Sequence, residues 1–111
     1  MITVKYKPDS NTLTIKGHAG YAEPGKDIIC AAASMIFYNL CAMLRQYPAE
    51  AFSLPLEMKM AKGKNGVTSV KCKPSAAYET LIDHDFLYAL TGFQTLMGNY
   101  PEYVNLVVTQ K

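Results

Sequence analysis

The sequence predicts an α+β domain of order ββαββαβ, a mostly antiparallel sheet covered by two amphipathic helices. Three observations predict it. Apolar residues alternate with polar ones in paired runs joined by turn residues, first over Ile2 to Gly17 and again over Leu56 to Cys72. Each paired run is followed by a long stretch with apolar residues at helical spacing, and a short apolar run closes the chain. The length of 111 residues suits a single domain, 1–111, large enough to bury a self-supporting core.

Taken in order, Ile2, Val4 and Tyr6 alternate with Thr3, Lys5 and Lys7 as a half-buried strand does. Pro8-Asp9-Ser10-Asn11 is turn chemistry, because proline fixes φ and short polar side chains bond back to the backbone. Thr12 to Gly17 returns as the second strand, with Leu13 and Ile15 inward. Gly17 to Lys26 has three glycines and Pro24 with almost no aliphatic content, which predicts a loop. The first helix follows from Asp27 to Arg45, with Ile29, Ala32 or Ala33, Ile36, Leu40 and Met43 as its apolar stripe and Pro48 beyond its end. Leu56, Met58 and Met60, the turn Lys62 to Gly66, and Thr68, Val70 and Cys72 make the second hairpin. Pro74-Ser75 opens a second helix reaching Asn99, with Tyr78, Ile82, Phe86, Ala89, Phe93 and Met97 inward. Tyr103 to Thr109 reads as the last strand.

Composition narrows the classes. Half of the residues are apolar and 18% are charged, which is globular rather than disordered. A formal charge of +2 is too small to argue for nucleic acid as the main partner, so no direct nucleic-acid binding is expected. The first residues already alternate like a strand, without the features of a signal peptide. No apolar run approaches the roughly 20 residues of a membrane span. The three cysteines, Cys30, Cys41 and Cys72, are odd in number and lack close pairs. That argues against a disulfide framework and a cysteine-rich zinc site. The expectation is a cytoplasmic protein with no membrane partner, no metal and no cofactor.

One constellation carries chemistry. Cys30 falls in the first turn of the first helix, beside the glycine-rich loop that holds His18. A helix N-terminus favours thiolate over thiol, a nearby imidazole can take the thiol proton, and first-turn N–H groups suit a developing oxyanion. Asp27 is placed to cap that helix or to sit in its first turn.

The words Gly17-His18-Ala19 and Gly25-Lys26-Asp27-Ile28-Ile29-Cys30-Ala31-Ala32-Ala33-Ser34, separated as they are here, resemble the Prp family of ribosomal-processing cysteine proteases. The chain also has the family's opening hairpin and length, and its closing Tyr100-Pro101-Glu102-Tyr103-Val104 fits. The resemblance implies a homodimeric cysteine endopeptidase whose partner is a protein substrate. Such an enzyme removes a short N-terminal extension from a large-subunit ribosomal protein, cutting after an aromatic residue and before a small one. It implies Cys30 as nucleophile, His18 as base and Asp27 as a possible third member. Ser34 lies one turn beyond Cys30, where it shapes the site. The segment Tyr21, Ala22, Glu23, Pro24, Gly25 and Lys26 would act as a lid over substrate.

Plainer readings stand beside these. Asp27 serves equally well as a helix cap with no catalytic role. Cys41 and Cys72 fit core positions, and His84, between Asp83 and Asp85, fits a solvated helix face. Lys59, Lys62, Lys64, Lys71 and Lys73 fit guards of an exposed sheet edge better than an RNA contact. Alternative functions are a phage-type protease maturing capsid or scaffold protein, and a non-catalytic ribosome-assembly module. A redox thiol protein ranks last, because no C-x-x-C pair is present.

Overall fold

A computed structural model describes residues 1–22, 27–60 and 66–109. Strands β1 (Ile2–Lys7) and β2 (Thr12–Lys16) form an antiparallel pair, with Val4 opposite Ile15 and Tyr6 opposite Leu13. Their link is a 3-10 turn, Pro8–Ser10, closed by Asn11 in the left-handed conformation at φ 44°. Asparagine tolerates that conformation better than most residues. Its buried Oδ1 accepts the Tyr6 hydroxyl at 2.7 Å, so the turn is tied to the strand it follows.

Helix α1 (Ile28–Arg45) leads to β3 (Phe52–Lys59) and β4 (Val67–Pro74); helix α2 (Glu79–Asn99) leads to β5 (Val104–Val108). The sheet order is β3-β4-β2-β1-β5, antiparallel throughout except that β5 runs parallel to β1. The fold is therefore α+β in the predicted order. Both helices cover one face. Val4, Tyr6, Leu13, Val70 and Cys72 from that face share a single core with Phe37 of α1 and Phe86 and Phe93 of α2. Tyr6 and Phe86 stack with ring centroids 5.3 Å apart.

Three sequence expectations shift. The buried stripe of α1 is Ile29, Ala33, Phe37, Leu40, Cys41 and Leu44, whereas Ile36 is half-buried and Met43 is exposed. The helix rests on the sheet through Phe37 and Leu44 and turns its Ile36 side towards α2. A Cβ at Gly92 would meet the Ile36 side chain at 3.3 Å, so glycine lets the two helices approach there. Strand β3 begins at Phe52, earlier than its alternation shows, because register shifts at Phe52/Leu54 and Leu54/Glu57 break the period. Pro55 is accommodated because β3 is an edge strand. Helix α2 begins at Glu79, because Ala76–Tyr78 forms a 3-10 turn and Ser75 is bonded to the Ala51 and Glu50 carbonyls at 2.7 and 2.8 Å.

By length and composition α1 is apolar enough to cross a membrane, with mean hydropathy 1.7. Its six buried residues explain part of that apolarity, and exposed Ile28, Met35, Tyr38 and Met43 supply more. Cys41 and Cys72 are buried and His84 is exposed. The edge-guarding role fits Lys59 on β3 but not Lys71 and Lys73, which lie on β4 between two neighbouring strands. Lys62 and Lys64 lie outside the described residues.

Candidate active site

The site is built where β2 ends and α1 begins. Gly17 leaves the strand at φ +94°, and a Cβ there would collide with the Met1 carbonyl oxygen. Glycine therefore permits both the backbone turn and the close approach of two chain segments. The corner turns His18 outward, exposed, and sends Ala19 back into the core at 5% exposure. Gly20 then takes φ +68°.

Cys30 is half-buried in the first turn of α1. Its Sγ accepts a hydrogen bond from the Ala19 N–H at 3.5 Å. Cys30, His18 and Ser34 line one cleft of about 270 Å³, whose walls also include Ile2, Ile15, Phe37, Tyr38, Gly66 and Thr68. No hydrogen bond joins His18 to Cys30 among the described residues. Two larger clefts, each about 520 Å³, contain neither residue: one is ringed by Pro8, Leu54, Lys73 and Asp83, the other runs between the helices.

Asp27 is the N-cap residue of α1. Its Oδ1 accepts the N–H groups of Ile29 and Cys30, both at 3.0 Å. Its Oδ2 accepts the Tyr21 N–H at 3.1 Å, so one carboxylate fastens the loop to the helix end. Partial removal from water acts to raise the Asp27 pKa, but the N–H donors of Cys30 and Tyr21 outweigh it and hold the carboxyl below its ordinary range.

Two electrostatic expectations change as a result. The first-turn N–H groups expected at an oxyanion are already bonded, those of Ile29 and Cys30 to Oδ1 and that of Ala31 to the Asp27 carbonyl at 3.1 Å. The Cys30 thiol also stands above its ordinary value rather than below it. Burial raises it, the Ala19 N–H opposes this, and the nearby Asp27 charge raises it further. Asp27 thus both occupies the first-turn N–H groups and places a negative charge beside the sulfur.

Tyr21 is exposed, and its ring makes T-shaped contacts with Tyr100 and Tyr103, with centroids 6.0 and 5.3 Å away. Glu23, Pro24, Gly25 and Lys26 of the expected lid lie outside the described residues. Sequence reasoning missed Tyr38 and Thr68. Tyr38 was legible as the third step of the Cys30, Ser34, Tyr38 series along one helix face. Thr68 was legible only once β4 was aligned with β2, where it stands opposite Ile15.

Comparisons with known proteins give the family and the fold. A family model described as cysteine protease Prp matches residues 1–105. The ribosomal processing cysteine protease Prp of Mycoplasma genitalium is 51% identical over 36 residues, 32% of this chain and 36% of that protein. The match thus spans about a third of that relative's length. The Staphylococcus aureus ribosomal processing protease Prp, crystallised with a covalently linked product peptide, superposes with a TM-score of 0.77 at 21% identity. It covers 98% of this chain and 100% of that one. The structure of SMU.848 from Streptococcus mutans superposes with a TM-score of 0.69 at 25% identity, over 99% of this chain and 93% of that one. At such identities the superpositions speak for the fold.

Proposed function

The chain belongs to the cysteine protease Prp family, and on that premise we propose that it is a cytoplasmic endopeptidase in which Cys30 attacks the peptide carbonyl and His18 is the base. The substrate in this reading is the N-terminal extension of a large-subunit ribosomal protein, a finer form of the ribosomal processing for which the similar proteases are named. The observation that carries the reading is the shared cleft. A single corner at Gly17 brings His18 to the same cavity as the half-buried Cys30 sulfur.

The imidazole of His18 takes the thiol proton as Sγ bonds to the carbonyl carbon, and the carbonyl π pair moves to oxygen. Collapse of that intermediate breaks the C–N bond, and the imidazolium protonates the departing amine. Water, deprotonated by the same imidazole, then attacks the thioester, the C–S bond breaks, and the imidazolium returns its proton to the Cys30 sulfur. A base is necessary because burial and the Asp27 charge raise the Cys30 thiol. The Ala19 N–H is directed at the sulfur and stabilises the thiolate once it forms. Ser34 and Tyr38 extend the wall beyond the nucleophile, and Ile2, Ile15 and Phe37 give that end of the cleft an apolar floor for an aromatic substrate side chain. Asp27 acts as cap and loop tie rather than as a partner of His18, since both its oxygens already accept backbone N–H groups.

The enzyme is a homodimer in this reading, supported by an exposed apolar helix layer that includes Met35, Met43 and Tyr88. The test is incubation with a panel of ribosomal-protein N-terminal peptides, with products identified by mass spectrometry. Cleavage at one peptide, lost in both Cys30→Ala and His18→Ala, is the expected result. Cleavage retained in Cys30→Ala overturns the assignment.

A further inference from the structure

Because both helices cover one face of the sheet, the other face is open, and its composition is not that of an average surface. Lys5 and Lys7 of β1, Lys16 of β2, Lys71 and Lys73 of β4 and Lys59 of β3 all alternate away from the core and are exposed. They are six of the chain's eleven basic residues. The acidic residue among them is Glu57, opposite Lys71. At one end of the sheet Lys71 and Lys73 share a cleft with Asp9, Glu57, Glu79 and Asp83. Away from that cleft, the net charge of +2 conceals a concentration of lysines on the sheet face.

The register sets these lysines in rows. Lys7, Thr12, Lys71 and Glu57 are successive cross-strand neighbours, as are Lys5, Thr14, Ser69 and Lys59. With strands ~4.8 Å apart, Lys7 and Lys71 stand roughly 10 Å apart and Lys5 and Lys59 roughly 14 Å. Hydroxyl groups of Thr12, Thr14 and Ser69 fill the spaces between the ammonium groups, a mixture suited to phosphate oxygens.

We propose that this open sheet face binds the phosphate backbone of RNA. The choice of RNA rests on the protease reading, in which the substrate protein belongs to a ribonucleoprotein particle. A second copy of the chain is disfavoured, since a symmetric contact would set the six lysines against themselves. A lipid surface is disfavoured because the centre of the face is occupied by threonine and serine rather than by large apolar anchors. No aromatic ring projects from this face among the described residues, so binding reads backbone charge and not base sequence. Lys16 is two residues before His18, so the basic face meets the catalytic cleft at its rim. RNA held there leaves the cleft open to a protein tail on the same particle.

The test uses fluorescence anisotropy with a labelled RNA hairpin, and vesicles containing phosphatidylglycerol as a second arm. The proteins are wild type, Lys5→Glu/Lys7→Glu/Lys71→Glu, the threonine version of the same triple, and Arg45→Glu on α1 as a control. Wild type should bind the hairpin with strong salt dependence, and each triple variant should weaken binding about tenfold or more. The triple variants should also lower the log–log salt slope by about two to three. Arg45→Glu should bind as wild type does. The threonine triple keeps strand-forming side chains, so it serves if the glutamate triple does not fold. Peptide cleavage is measured on every preparation. Cleavage without RNA binding, RNA binding unchanged in both triples, or tighter binding to vesicles than to RNA overturns the surface. RNA binding lost in the triples, from a wild type that cleaves no peptide, supports the surface and refutes the protease reading alone.

Discussion

The Ala19 N–H points at the Cys30 sulfur from 3.5 Å, across eleven residues of chain. Ala19 is itself held in the core, so this donor is fixed by packing and not by a mobile side chain. The residue before it is His18, and before that comes the Gly17 corner. The proposed base and the donor thus share one backbone turn, set against the proposed nucleophile at the start of α1.

Gly17→Ala disturbs that turn in two ways, by the positive φ and by the collision with the Met1 carbonyl. Left-handed strain for a non-glycine residue costs of order 1–3 kcal/mol. The expected outcome is a lowered melting temperature together with at least a tenfold fall in kcat/KM on a cleavable peptide. Gly20→Ala meets the same kind of φ strain but has open space around its Cβ, so its loss should be smaller. Equal kcat/KM for Gly17→Ala and wild type would remove the corner from the site.

The cysteines separate chemistry from packing. Cys30→Ala should abolish turnover and change the melting temperature little, because the side chain is only half-buried. Cys41→Ala should leave kcat/KM intact and cost about 1 kcal/mol, the usual loss for removing one small buried group. Thermal melts and peptide kinetics on the two purified variants check both halves.

Much of this was legible in the sequence. The alternation at Ile2, Val4 and Tyr6 and at Leu13 and Ile15 declared the first hairpin, because strands alternate faces residue by residue. The pairing of β5 with β1 in parallel was not legible, since nothing in Val104 to Val108 says which edge it joins. Cys30 and His18 were legible as types and by their resemblance to a family motif, whereas the state of the thiol was not. Position at a helix end argues for a lowered pKa, and only the atoms show that Asp27 takes the first-turn N–H groups and adds its own charge. The basic face was hidden for a different reason. Its lysines come from four strands, and only strand order and register bring them together.

Alkylation reports the raised thiol. Iodoacetamide should label Cys30 before the buried Cys41 and Cys72, through exposure rather than through a low pKa. Cys72, pushed up to about 11 mainly by burial, should stay unlabelled in the folded protein. The Cys30 rate should climb about tenfold per pH unit from neutrality to beyond ~8.5, the ordinary cysteine value. A rate already level below pH 7, followed by mass spectrometry, would show a depressed thiol and contradict the Asp27 effect.

Asp27 offers the sharpest test, because its two oxygens have different duties. Oδ1 caps the helix and Oδ2 holds the Tyr21 N–H. Asp27→Ala removes both and should cost roughly 0.5–2 kcal/mol of stability. Asparagine has one acceptor oxygen, so Asp27→Asn keeps the cap and releases Tyr21. Its melting temperature should stay near wild type at neutral pH, while amide exchange at Tyr21 quickens. The variant also removes a negative charge that raises the Cys30 thiol, so iodoacetamide labelling at pH 7 should become faster. The acid side follows from the depressed Asp27 pKa. A carboxyl lowered by folding stabilises fully above its unfolded value, near ~3.9, and loses that contribution as pH falls through the folded value. Stability below about pH 4 should therefore decline more steeply in wild type than in Asp27→Asn. Turnover decides between cap and catalytic partner. A residue that acts through the helix end should lose less than about tenfold on substitution by asparagine, whereas one that orients an imidazolium should lose far more, of order a hundredfold or greater. A hundredfold fall in kcat with an unchanged melting temperature would place Asp27 beside His18 in the chemistry and displace the reading of it as a cap.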